Sequence, residues 1–195
     1  MSKLNDMQYA ELLEKPQTIL PILPDENMLA LAISFAAKKH KGQKRKGNNA
    51  PYILHPIRVM SHLYYAKLGT KNLILLMICC VLHDVVEDCD VTIKEIAKLF
   101  GYKVASIVEE LTSDKKECDI QGKTKYLSNK MFNMSSYALC IKLADRLDNI
   151  SDSPAQKTLK ETELILSYLE NGTDGVGRKL TNTHKFLINL IREKL

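Results

Sequence analysis

The chain has 195 residues, 45% of them hydrophobic and 26% charged, with a net charge of +5. These values are those of a globular chain, neither disordered nor membrane-like, and they set one globular domain over 1–195 as the expectation. The basic balance suits an anionic ligand, while the lack of tryptophan and the few aromatic residues speak against a stacking platform for single-stranded nucleic acid.

No segment alternates with period two, and helical punctuation recurs, so an all-α fold is expected. The opening MSKLNDMQYAELLEKP lacks the apolar centre of a signal peptide and predicts a short helix from Asp6 to Glu14, stopped before Pro16. Asp25 is placed to cap the next helix, whose Leu29, Ile33 and Ala36 fall on one face. The loop GQKRKGNNAPY is rich in Gly, Asn and cations and reads as exposed. A helix resumes near Leu54 and ends before Gly69. The next, from Lys71 to Glu87, is apolar almost all round and should be the central, buried helix. Its run LILLMICCVL is well short of the ~20 residues that span a bilayer.

Thr92 and Glu95 have capping-box spacing, and Gly101 is placed to end the helix they start. VASIVEELT predicts another helix, followed by a polar stretch, SDKKECDIQGKTK. Ser135 or Ser136 can cap a helix carrying YALCIKLADRLDNI. Two amphipathic helices, near Lys157–Glu170 and Arg178–Lys194, close the chain. They fit either a cover for the core or the face of a homo-oligomer. The cysteines Cys79, Cys80, Cys89, Cys118 and Cys140 form no C-x-x-C pair and read as thiols of a reducing compartment, so a cytoplasmic location is expected.

Four residues carry the chemical signal: His55, His83, Asp84 and Asp145. Imidazole nitrogen and carboxylate oxygen together suit a first-row divalent ion with water completing its shell. His83 and Asp84 end an apolar helix, where two polar groups are costly to bury unless they share a partner. Glu87 and Asp88 follow one turn later on the same faces, and so many acids at a helix C-terminus oppose its dipole unless a cation relieves them. Read by itself, the H-D pair also fits a helix end emerging into solvent, and Asp145-Arg146 a surface ion pair. Arg45 and Lys46, in a short basic run, can bind phosphate or simply be solvated.

Four stretches, HKGQKRKGNNAPYILHP, VLHDVVED, VTIKEIAKLFG and IKLADRLDN, resemble in order and spacing the hydrolase domain of the RelA/SpoT-type alarmone enzymes, which are HD-superfamily proteins. The resemblance covers about 25–152, the motif core, and leaves residues 155–195 as C-terminal helices. It implies an all-α HD-domain helical bundle and one Mn²⁺ held by His55, His83, Asp84 and Asp145. It gives Glu87 and Asp88 the attacking water, Arg45 the guanine base, Lys46 the phosphate side and Asn149 the ribose. Asp148 departs from the family, which often has a His or an aromatic residue there, and Ser151-Asp152 replace an Arg-containing continuation.

The activity implied is removal of pyrophosphate from the ribose 3′ position of (p)ppGpp, giving GDP or GTP. The same motifs fit an HD phosphatase acting on another phosphorylated nucleotide such as NADPH. They also fit a non-catalytic nucleotide-binding or antitoxin-like protein. The expected partner is a small nucleotide, with neither nucleic acid nor membrane.

Overall fold

The computed structural model describes residues 25–45, 49–70, 72–152, 154–173 and 175–195. The helix expected over Asp6–Glu14 and the cation Lys46 lie outside them. Among the described residues there are eleven helices and no strand, only an isolated bridge between Lys44 and Pro51.

The first five helices are α1 (Asp25–Lys39), α2 (Leu54–Lys67), α3 (Leu73–Leu82), the single turn α4 (Val85–Asp88) and α5 (Ile93–Phe100). They are followed by α6 (Tyr102–Leu111), α7 (Lys115–Gln121), α8 (Lys123–Asn133) and α9 (Ser136–Ser151). The last two are α10 (Gln156–Asn171) and α11 (Asn182–Arg192). No described helix is long and apolar enough to cross a membrane.

Two helices form the centre. The apolar α3 buries Leu76 and everything from Ile78 to Leu82, and packs on α1, α2 and α6. The second, α9, buries every side chain from Ala138 to Asp148 and touches α2, α3, α6, α10 and α11. Burying a large aliphatic chain contributes about 1.5–3 kcal/mol, and α9 supplies Leu139, Ile141, Leu143 and Leu147. It also buries Lys142, Asp145, Arg146 and Asp148, and so many charged groups inside need partners.

Local chemistry sets most boundaries. Thr92 and Glu95 form the full capping box on α5, with Glu95 N–H to Thr92 Oγ1 at 3.2 Å and Thr92 N–H to Glu95 Oε2 at 2.9 Å. Gly101 ends α5 at φ +85° and starts α6 without a connecting loop. Ser135 caps α9 through Ala138 N–H. The polar stretch after α6 is itself helical. Asp114 accepts the N–H groups of Lys116 and Glu117 and starts α7, a helix that buries nothing and is held at this cap. The last helix starts at Asn182, not Arg178, because Thr181 caps it with His184 in the reciprocal position.

The largest departure from the sequence expectation is at 71–87. The helix does not run through: α3 stops at Leu82, and His83 and Asp84 form a turn before α4. Asp84 has φ −103° and ψ −6°, the bridge region where many active-site residues sit. The cysteines are all free, and Cys79, Cys80 and Cys140 are buried. Burial pushes the Cys79 thiol up to about 12 and that of Cys140 to about 11, so neither is a reactive thiolate.

Candidate active site

The turn at His83-Asp84, the first turn of α2 and the middle of α9 meet at one point. His55, His83 and Asp145 each offer an atom to it, and these atoms all lie within 4.8 Å of one another. His55 Nε2 is 3.2 Å from Asp145 Oδ1 and 3.6 Å from Asp84 Oδ2. His83 Nε2 is 3.0 Å from Asp84 Oδ2 and 3.8 Å from Asp145 Oδ1. Asp84 therefore joins the group from its more open side, its side chain 14% exposed.

Both imidazoles are oriented from behind. His83 Nδ1 lies 2.7 Å from the Cys80 carbonyl, an acceptor, so Nδ1 carries the proton and donates it. His55 Nδ1 lies 2.6 Å from Asp148 Oδ2 and donates likewise. Each ring thus turns its Nε2 lone pair inward, the arrangement a metal-ligating histidine needs. His83 Nε2 is buried without a hydrogen-bond partner among the described residues, an orphaned acceptor aimed into the cluster. Two such nitrogens and two carboxylates fit a divalent cation of the first transition row.

The electrostatics agree. Burial alone would lower the pKa of His83, but Asp84 and Asp145 outweigh it and push the ring up to about 10, so the pocket favours positive charge and a metal ion would bind Nε2 there by displacing its proton. Burial opposes the charge on Asp84, yet His83 beside it holds the carboxyl well below the usual range. Asp145 is also held low, chiefly by the Lys142 ammonium 2.9 Å from its Oδ2.

The remaining sequence candidates are drawn in unevenly. Asn149 donates to Asp145 Oδ1 at 2.6 Å and accepts from Arg45 Nη1 at 3.2 Å. Arg45 is not in a solvated loop: its Nη2 also reaches Asp148 Oδ2 at 3.3 Å, and its side chain is 12% exposed. Asp88 lies beside Asp84, since the Tyr52 hydroxyl contacts both, at 3.3 and 2.6 Å. Glu87 instead accepts the Ser113 N–H through Oε2 at 2.8 Å and thereby faces the junction of α6 and α7. Asp145 pairs with Lys142 and His55, not with Arg146 as a surface pair would.

Three residues of this site carried no assigned role in the sequence. Tyr52 donates to Asp84; burial, then Asp84, raise its pKa and keep the hydroxyl protonated. Its only signal was its place three residues before His55. Lys142 and Asp148 stand three residues before and after Asp145, on the same face of α9. Asp148, noted as a departure from the family, accepts from His55, Arg45 and Arg58.

The HD domain family profile matches residues 32–170. The chain belongs to the HD domain family. The chain is 36% identical over 184 residues to guanosine-3′,5′-bis(diphosphate) 3′-pyrophosphohydrolase of Aquifex aeolicus, covering 87% of this chain and 24% of that one. It is 38% identical over 125 residues to the Homo sapiens guanosine-3′,5′-bis(diphosphate) 3′-pyrophosphohydrolase MESH1, covering 62% of this chain and 66% of that one. A solved structure of a metazoan orthologue of SpoT, described as hydrolysing ppGpp and playing a role in starvation responses, superimposes with a TM-score of 0.68 at 28% identity. That match covers 85% of this chain and 94% of the other. The chain therefore spans about a quarter of the bacterial relative and about two thirds of the human one.

Proposed function

We propose that this HD domain hydrolyses (p)ppGpp to GDP or GTP and pyrophosphate, with one Mn²⁺ held by His55, His83, Asp84 and Asp145. The observation that carries the reading is the paired inward Nε2 atoms of His55 and His83 facing two carboxylates, in a chain similar to guanosine-3′,5′-bis(diphosphate) 3′-pyrophosphohydrolases. When bound, the cation supplies Lewis acidity to a water and to a phosphoryl oxygen.

The protein's own groups do the rest. Asp88 holds the attacking water and takes its proton as the oxygen adds to the 3′-linked phosphorus. The bond from that phosphorus to the ribose O3′ breaks and O3′ takes a proton from solvent, while Asp88 returns to solvent the proton it took from the water, so that GDP or GTP and pyrophosphate leave with the protons in balance. Glu87 commits Oε2 to Ser113, so its part in placing the water falls to Oε1. Arg45 is held along one edge by Asp148 and Asn149, and an edge-bound guanidinium offers its flat face to a base. By the same resemblance, Asn149 serves the ribose and Lys46 the phosphate. We further propose that the motif core and the C-terminal helices act as a single hydrolase domain, since α10 packs on α8 and α11 on α9, and that it works in the cytoplasm, in keeping with its free cysteines.

The test is a product assay on metal-replete and EDTA-treated protein, with ppGpp and NADPH supplied separately. The expected result is GDP and pyrophosphate from ppGpp, lost with EDTA and restored by Mn²⁺. Intact ppGpp alongside phosphate released from NADPH would replace the substrate. No turnover of either would replace hydrolysis by nucleotide binding.

A further inference from the structure

We propose that Asp148 is a positioning residue that couples metal binding to substrate binding, because one of its oxygens holds both His55 and Arg45. The inference rests on the reading of His55 as a metal ligand.

Asp148 is 1% exposed and surrounded by donors. Its Oδ2 accepts from His55 Nδ1 at 2.6 Å, from Arg58 Nη2 at 3.2 Å and from Arg45 Nη2 at 3.3 Å. Its Oδ1 accepts from Arg58 Nε at 2.7 Å, with His62 Nε2 at 3.7 Å. A carboxylate offers about four lone-pair sites, so this one is saturated, and α2 and the loop before it fix its position on α9. Asp145, Asp148 and Asn149 sit at i, i+3 and i+4 on α9, one face of one helix. That face delivers a metal-site carboxylate, the partner of the opposing histidine and both anchors of Arg45.

Two consequences follow. By accepting the Nδ1 proton, Asp148 selects the tautomer in which His55 Nε2 is free to bind a cation, and it holds the ring at the angle that brings Nε2 to 3.2 Å from Asp145. By holding Arg45 through the same oxygen, it links the loop before α2 to that ring. A shift of Arg45 onto a nucleotide is therefore felt at His55, and filling the metal site pre-orders Arg45. An asparagine at 148 keeps the shape but lacks the charge, and its amide cannot serve His55 and two guanidinium groups together.

The experiment titrates Mn²⁺ calorimetrically into EDTA-stripped wild type, D148N, R58Q and H55A, with circular dichroism confirming that each is folded. D148N is expected to bind Mn²⁺ about 10–100-fold more weakly, the usual cost of losing a partner behind a metal-bound histidine. R58Q removes an ion pair from the same carboxylate but leaves the His55 contact, and should bind almost as wild type does. Steady-state assays at saturating Mn²⁺ should then show D148N with a raised KM for ppGpp, from the loosened Arg45. Equal Mn²⁺ affinity in folded D148N and wild type overturns the inference and leaves the metal reading intact. A wild type that binds Mn²⁺ no better than H55A overturns both. If D148N does not fold, the imidazole ¹⁵N spectrum of metal-loaded wild type decides: His55 protonated at Nδ1 supports the inference, and protonated at Nε2 overturns it.

Discussion

Tyr52 shows what single atoms contribute to this site. Its hydroxyl donates at 2.6 Å to Asp84 Oδ2, the oxygen that also faces both histidines, and it touches Asp88 as well. A hydrogen bond to a charged group contributes about 1.5–3 kcal/mol. Tyr52→Phe keeps the ring against His40 and His55 and removes only that bond. We expect kcat/KM for ppGpp to fall by about 10-fold or more, with unchanged far-UV circular dichroism. Activity within a factor of about two of wild type would mean that Asp84 is held without the phenol. His83 is more exacting, because its orphaned Nε2 has no other partner to turn to. His83→Ala should lose Mn²⁺ affinity by more than the ~10–100-fold expected of a change behind a ligand, read by metal content after dialysis. Retention of full metal content would remove His83 from the ligand set.

At the scale of elements, α5 and α6 meet at Gly101 with no intervening loop. Gly101 has φ +85° and ψ 162°, a region that essentially only glycine occupies. A Cβ there would meet nothing within 4 Å, so the penalty for a side chain is backbone strain alone. Gly101→Ala should destabilise the fold by about 1–3 kcal/mol, and a chain of this size loses about 2–4 °C of Tm per kcal/mol. Thermal denaturation checks it; an unchanged Tm would mean that the α5–α6 corner relaxes freely. Such corner and capping residues, Thr92, Glu95, Gly101 and, as one of two candidates, Ser135, were legible because each acts on backbone groups within four residues. Asp114 acts equally locally, and the sequence KKECDIQ hid it because α7 has no apolar face to reveal a period.

For the molecule as a whole, His184 joins the C-terminal helix to the centre. Its Nδ1 accepts the Thr181 N–H at 3.1 Å, and its Nε2 donates to the Ser136 carbonyl at 2.9 Å, so it clasps α11 to the start of α9 as a neutral ring. Burial lowers its pKa below 6.5, the Ser136 carbonyl opposes that, and Arg178 and Lys67 add to the lowering. The unfolded chain therefore binds this proton more readily than the folded one. Its contribution to stability is complete above about pH 6.5 and is lost as pH falls through the lowered folded value. Denaturant melts between pH 7.5 and 5 should show wild type losing stability, and His184→Gln losing less over the same range. Parallel pH profiles for the two proteins would assign the acid sensitivity to other groups.

The sequence by itself determined the all-helical fold, the buried α3 and the cap of α5, narrowed the cap of α9 to Ser135 or Ser136, and pointed to His55, His83, Asp84 and Asp145 as candidate donors. Periodicity and capping are read within a few residues, and the four motifs were recognisable by their order. Only the tertiary structure decided that the chain turns at His83-Asp84 rather than continuing as helix. It alone placed Glu87 on Ser113, turned Arg45 inward onto Asp148 and Asn149, and gave Tyr52, Lys142 and Asp148 their partners. Lys142 apart, whose partner Asp145 is three residues on, those outcomes depend on contacts between residues 26–104 positions apart, such as Arg45 with Asp148, where the choice of partner is set by which helix faces meet and by the need of every buried charge for an opposite one.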